Sequence, residues 1–299
     1  MTSAVGLLTV PNVSEGRDEA LIGRLAGAFA VEAVLLDAQS DEVHNRTVLT
    51  LAPSAGDVVP ALAAGARTAV EALDLSEHRG EHPRVGALDV APVVWLDQAS
   101  RQAARDQAVR AADAIAALGV PVFLYGDLAT EPGRRERAYF RSGGLGALRT
   151  RMEAGELVPD RGPEAPHPTA GATLVTARPP LAAFNLEVEG ASLAATRGIA
   201  AELREAGGGL QGVRAIGLEF GQRTQVSTNV HDPISVPLAE VAARTAQLAE
   251  GHGARVVQAE IVGLVPRAAL HGFPADLSLG DFDPKRGIIE ERVRAIADD

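Results

Sequence analysis

Residues 212–230 read GVRAIGLEFGQRTQVSTNV, and this stretch decides the fold. Residues 212–220 and 223–230 are two runs with strand character. Between them stand only Gly221-Gln222, a two-residue connection suited to a tight hairpin. Helical spacing flanks the pair on both sides, at 191–206 and at 237–251. The first of these helices is stopped by the Gly207-Gly208-Gly209 run. Working outward, 181–189 (LAAFNLEVE) alternates as a strand and 253–261 supplies another. The order is β-α-β-β-α-β, the split arrangement of a ferredoxin-like unit.

The same order runs earlier in the chain. Strands are expected at 5–11, 33–37, 46–52 and 88–96, with helices at 16–30 and 57–73. A helix at 100–118, a short strand at 120–125 and one or two helices within 134–156 follow. Pro159, Pro163, Pro166 and Pro168 then mark a linker or a binding loop. The halves share no visible sequence similarity. The expected fold is therefore mixed α/β (α+β): two ferredoxin-like βαββαβ subdomains, 1–178 and 179–299. Packing them together would bury both exposed sheet faces and leave a cleft or tunnel between them.

The composition narrows the function. The 299 residues carry a formal net charge of −11, with 46% hydrophobic and 3% aromatic residues. An acidic chain is a poor default partner for nucleic acid. There is no cysteine, so disulfides, thiolate catalysis and Cys-ligated zinc are excluded. The N-terminus lacks the charge and cleavage pattern of a signal peptide, and no run of about 18 apolar residues suggests a membrane span. A cytoplasmic protein is expected. Lys285 is the only lysine, so 27 of the 28 basic residues are arginines. Coding bias accounts for that, as would bidentate carboxylate recognition.

Five polar stretches could carry chemistry. His78-Arg79-Gly80-Glu81-His82 fits the H-x-x-E-H pattern of zinc proteases. Gly80 lies between the histidines and Pro83 follows at once, which denies the helix that would bring both onto one face. What remains is a loop, Gly80 to Arg84, leading into the strand at 88–96. It is either a solvated turn or a catalytic loop with His82 for proton transfer, Glu81 to orient the ring and Arg84 to hold an anion. Asn12, Ser14 and Glu15 follow the first strand, where Asn12 or Ser14 caps a helix or the group forms an anion or amide site. His44-Asn45-Arg46 is a polar turn before a strand. Pro163, His167, Thr169 and Gly171 fall in a rigid segment, either a linker or the wall of a flat ligand's site. Gln225, Ser227 and Asn229 share one face of their strand, toward solvent or toward a heterocycle.

Together these stretches resemble the formiminotransferase family. The resemblance rests on VPNVSEGRD at 10–18, HNRTV at 44–48, HRGEHPRVGALDVAP at 78–92, PHPTAGA at 166–172, LAAFNLEV at 181–188, QVSTN at 225–229 and IVGLVPRAAL at 261–270. It implies transfer of a formimino group from N-formimino-L-glutamate to tetrahydrofolate, a step of histidine degradation and one-carbon metabolism. It also implies two α/β subdomains with a substrate tunnel, in a homodimer. The family's catalytic histidine falls on His82 and its folate-binding segment around 163–172. Asn12, Ser14, Glu15, Asn45, Arg46, Glu81 and Arg84 are then expected on the donor. Pro163, His167, Thr169, Gly171, Gln225, Ser227 and Asn229 are expected on the folate. No metal or tightly bound cofactor is expected. Where family members often carry acids, this chain has Gln39 and Val43, and Val85 replaces the usual Met. Vertebrate relatives are fused to a cyclodeaminase, for which this chain is expected to be too short. Two alternatives stay open: another donor such as formiminoglycine, or a folate-binding protein without catalysis.

Overall fold

The computed structural model describes residues 6–80 and 83–298. Two compact units divide the chain, 1–179 and 180–299.

The first unit begins with β1 (Leu7–Thr9) and β2 (Asn12–Val13), one strand path interrupted at Val10-Pro11. Proline has no N–H to give to a ladder, yet Pro11 still accepts from Leu49 N at 3.0 Å, which keeps the path in the sheet. Next come α1 (Glu19–Phe29), β3 (Ala33–Asp41), β4 (Arg46–Pro53), α2 (Val59–Ala72) and β5 (Leu88–Trp95). The pairings β3–β4, β4–β1/β2 and β1/β2–β5 are all antiparallel, giving the ferredoxin-like order. After α3 (Arg101–Ala116), β6 (Val122–Leu124), α4 (Arg137–Arg141) and α5 (Gly144–Glu153), the strand β7 (Thr173–Arg178) pairs parallel with both β5 and β6. β7 corrects the sequence expectation, which assigned no strand between 126 and 180. It is short and buried except at Arg178, so it lacks the alternation that announces a half-exposed strand.

Two apolar clusters explain why the parallel part is buried on both sides. Leu25, Phe29, Leu62, Ala66, Ala108 and Ile115 bring α1, α2 and α3 onto one set of strand residues. Phe123, Phe140, Leu148 and Met152 join α4 and α5 to β6, Val90 and Leu174. The first helix is capped by Asp18, which accepts from Leu21 N at 3.0 Å. Neither Ser14 nor Asn12 caps it.

The second unit holds β8 (Ala182–Glu189), α6 (Leu193–Leu203), β9 (Val213–Phe220), β10 (Arg223–Val230), α7 (Leu238–Glu250) and β11 (Arg255–Val262). Its sheet order is β11-β8-β10-β9, again ferredoxin-like. Phe220 pairs with Arg223, so the hairpin turns on Gly221-Gln222 as its spacing requires. Phe184, Leu186, Val226 and Val230 meet Ile199, Leu203, Leu238 and Val241 in a separate core. Two terminal helices, α8 (Pro284–Gly287) and α9 (Ile289–Asp298), complete it. Among the described residues no helix is long and apolar enough to cross a membrane.

Candidate active site

β2 and the starts of β4 and β5 lie side by side, and this juxtaposition builds the site. A cavity there is lined by Asn12, Val13, Ser14, His44, Asn45, Arg46, Arg84 and Asp89. Three motifs about 30 to 40 residues apart in sequence therefore meet at one place.

Most of the lining is fixed by backbone hydrogen bonds. Ser14 Oγ donates to Gly86 O at 2.7 Å, and Ser14 N donates to Ala87 O at 2.8 Å. Asn12 Nδ2 donates to Val10 O at 3.0 Å. Asn45 is 7% exposed and has a left-handed backbone, φ 50°, which Asn tolerates better than most residues. Its Oδ1 accepts from Gly16 N at 2.8 Å and its Nδ2 donates to Arg79 O at 2.9 Å. The amide of Asn45 thus ties three segments together. Glu15 does not line the cavity. Its Oε1 accepts from Arg17 N at 2.7 Å and Asp18 N at 3.0 Å, closing the turn before α1.

His44 leans on Asp41: Asp41 accepts from His44 N at 2.8 Å and meets the ring Nδ1 at 2.6 Å. Burial works to raise the Asp41 carboxyl, but the bonds from His44 outweigh it and hold it below its usual range. Arg46 is shifted down chiefly by burial. Asp41 and Asp89 offset this, while Arg137 and Arg141 add to it. Arg84 is also lowered by burial, against the opposing pull of Asp89. Two arginines, Arg46 and Arg84, and the Asp89 carboxylate thus share the cavity lining.

His82 and Glu81 lie outside the described residues. The chain on either side of them is held. Arg84 donates to Gly80 O at 2.9 Å and to His78 O at 3.1 Å, clasping the loop across its mouth. Part of the Arg84 guanidinium is therefore engaged with the loop's own carbonyls. The following residues are tied to the Pro-rich segment: Ala172 N donates to Val85 O at 2.8 Å, and Ala87 N to Ala170 O at 2.9 Å. Within that segment His167 and Gly171 exchange backbone bonds at 2.8 and 3.0 Å, and His167 Nδ1 accepts from Ala170 N at 3.1 Å. Thr169 O accepts from Leu75 N at 2.8 Å, while Pro163 is exposed. The segment is a structured turn that leads into β7.

The chain matches the family profile of the formiminotransferase domain, N-terminal subdomain, over residues 6–178, and that of the formiminotransferase domain over 183–274. The chain belongs to the formiminotransferase family. A glutamate formimidoyltransferase of Streptococcus pyogenes is 35% identical over 95% of this chain and 97% of its own. Another from Thermoplasma acidophilum is 34% identical over 96% and 97%. A formimidoyltransferase-cyclodeaminase of Sus scrofa is 40% identical over 87% of this chain, which spans 50% of that protein. A formiminotransferase moves a one-carbon unit, so its site must hold a donor and an acceptor at bonding distance.

In this formiminotransferase the sequence motifs account for Asn12, Ser14, Asn45, Arg46 and Arg84 in one cavity. Gln225, Ser227 and Asn229 stand on β10 of the second unit, on the sheet face opposite Val226 and Val230. Gln225 is buried, and Ser227 and Asn229 are half-buried. Sequence reasoning missed Asp89. The signal was present, because Asp89 is the single charge in the apolar run LDVAPVVWL, and a charge in such a strand needs a partner.

Proposed function

We propose that this chain transfers the formimino group from N-formimino-L-glutamate to tetrahydrofolate, giving 5-formimidoyltetrahydrofolate and L-glutamate. The two formiminotransferase subdomains are 1–178 and 179–299, and the enzyme works as a cytoplasmic homodimer. The observation that carries this reading is the joining of three family motifs in one arginine-bearing cavity, beside the clasped loop that includes His82.

The chemistry sets the roles. The donor carbon is an amidine carbon, and N5 of the folate attacks it. The resulting tetrahedral carbon bears three nitrogens. For collapse toward products, N5 must lose a proton and the glutamate nitrogen must gain one. His82 serves as base and then as acid, since an imidazole titrates near neutral pH. The carbon's oxidation state is unchanged, so the reaction needs no redox partner. Arg46 takes a donor carboxylate: burial beside Arg137 and Arg141 disfavours its charge, and an anion there restores the balance. Arg84 assists there, though part of its guanidinium is committed to the loop. The folate lies against His167, Thr169 and Gly171 of the first unit.

The test is an absorbance assay of purified protein with tetrahydrofolate and each donor in turn. Turnover with formiminoglutamate is expected. Turnover with formiminoglycine alone would assign a different donor, and folate binding without turnover of either would leave a binding protein.

A further inference from the structure

Asp89 is 3% exposed, at the second position of β5. Its Oδ1 accepts from Val85 N at 2.7 Å and from Gly86 N at 3.2 Å. Its Oδ2 accepts from Arg141 Nη2, whose side chain is 10% exposed. The Arg141 Nε is buried and has no hydrogen-bond partner among the described residues, so Asp89 is its anchoring contact. A buried ion pair gains little net stability over apolar packing. The neighbours of Asp89 in β5 are apolar, and the donors its carboxylate satisfies, Val85 N, Gly86 N and Arg141, all lie outside that strand. The carboxylate therefore has work outside the core. It turns back onto the two residues that follow Pro83-Arg84, and it faces the cavity.

We propose that Asp89 is a positioning residue of the transfer reaction, held by Arg141, that fixes the descending arm of the loop carrying His82. Oδ1 sets where Val85 and Gly86 lie, the residues by which the chain leaves that loop. Oδ2 is locked by the guanidinium at the end of α4, which prevents the carboxylate from rotating. The same carboxylate is the counter-charge that Arg46 and Arg84 share across the cavity. This inference rests on the proposed function for its kinetic arm only.

Two variants test it, each compared with the full-length wild type. Asp89→Asn keeps the size but removes the charge. Arg141→Lys leaves the loop untouched and replaces the planar fork with a point charge. For Asp89→Asn, kcat should fall about a hundredfold, the cost of misplacing a reacting group by about 1 Å. The KM for tetrahydrofolate should stay within twofold. Arg141→Lys should lose kcat in the same sense but less, and it carries the test if Asp89→Asn does not fold. Amide exchange at Val85 and Gly86 should accelerate in both variants, and that readout needs no substrate. Wild-type kcat in a folded variant, or unchanged exchange at these amides, would overturn the proposal. A wild type that turns over no formimino donor would instead defeat the function, and exchange would still decide the role of Asp89.

Discussion

His78 holds its two ring nitrogens in unlike settings. Nε2 donates to Asn45 O at 3.0 Å, which fixes the tautomer, while Nδ1 is buried without a hydrogen-bond partner among the described residues. A proton on Nδ1 would be desolvated and would face Arg84, so burial first and that cation second push the pKa below the ordinary 6.5. The folded state then binds this proton less tightly than the unfolded chain. The His78 contribution to stability is present above pH 6.5 and is lost as pH falls from there toward the lower folded value. Melting temperatures measured across pH 7.5 to 5 should decline more steeply for wild type than for His78→Gln, and parallel curves would refute the assignment. His82 differs in kind, because the role proposed for it is in the reaction. His82→Ala should lower kcat by at least about a hundredfold, within the 10²–10⁴ range of a general acid–base group, with tetrahydrofolate still bound. Titration of the variant by fluorescence alongside single-turnover rates checks both halves of that statement.

At the scale of elements, two glycines let the loop before β5 touch the segment before β7. Gly86 bridges Gly171, and a Cβ on Gly171 would run into Val85 O. Gly171 also has φ +70°, a left-handed backbone. Gly171→Ala should cost roughly 1–3 kcal/mol from the backbone conformation alone. Urea unfolding should show it, and on the proposed folate site the KM for tetrahydrofolate should rise because that wall moves. A midpoint equal to wild type would mean that this bridge is dispensable. Elements were legible in the sequence wherever one face was wet. The alternation of LAAFNLEVE and the Gly221-Gln222 hairpin announced β8, β9 and β10 from local pattern alone. β7 was not legible, because five successive buried residues carry no period, and the Pro-rich run before them imitates a linker. At the site, the motifs supplied Asn12, Ser14, Asn45, Arg46 and Arg84. Glu15, expected on the donor, closes a turn outside the cavity. The polar context of VSEGR cannot separate those two uses, since both place a carboxylate near free N–H groups. Asp89 escaped because its partner Arg141 is 52 residues away and comes beside it only in the folded chain.

At the scale of the whole molecule, each unit has a core of its own. Phe184 is fully buried in the second and meets Phe273 edge-on, with ring centres 6.0 Å apart. Phe184→Ala should destabilise the chain by about 3–5 kcal/mol, the usual cost of an aromatic cavity. Calorimetry should show the transition of the second unit moving to lower temperature; an unmoved transition would contradict this core assignment. The two units share the ferredoxin-like strand order, and the first adds β7 and β6 beside β5. The second stops at the four strands β8 to β11. In the first, β6 waits for β7, the one strand it pairs with among the described residues, and β7 comes about 50 residues later. This difference governs the order of events during synthesis. A ribosome that has delivered only residues 1–172 has made β5 and β6 with an empty slot between them, exposing two strand edges to other nascent chains. The last six residues of that unit's sheet close the slot, so its folding is completed by the segment that arrives last.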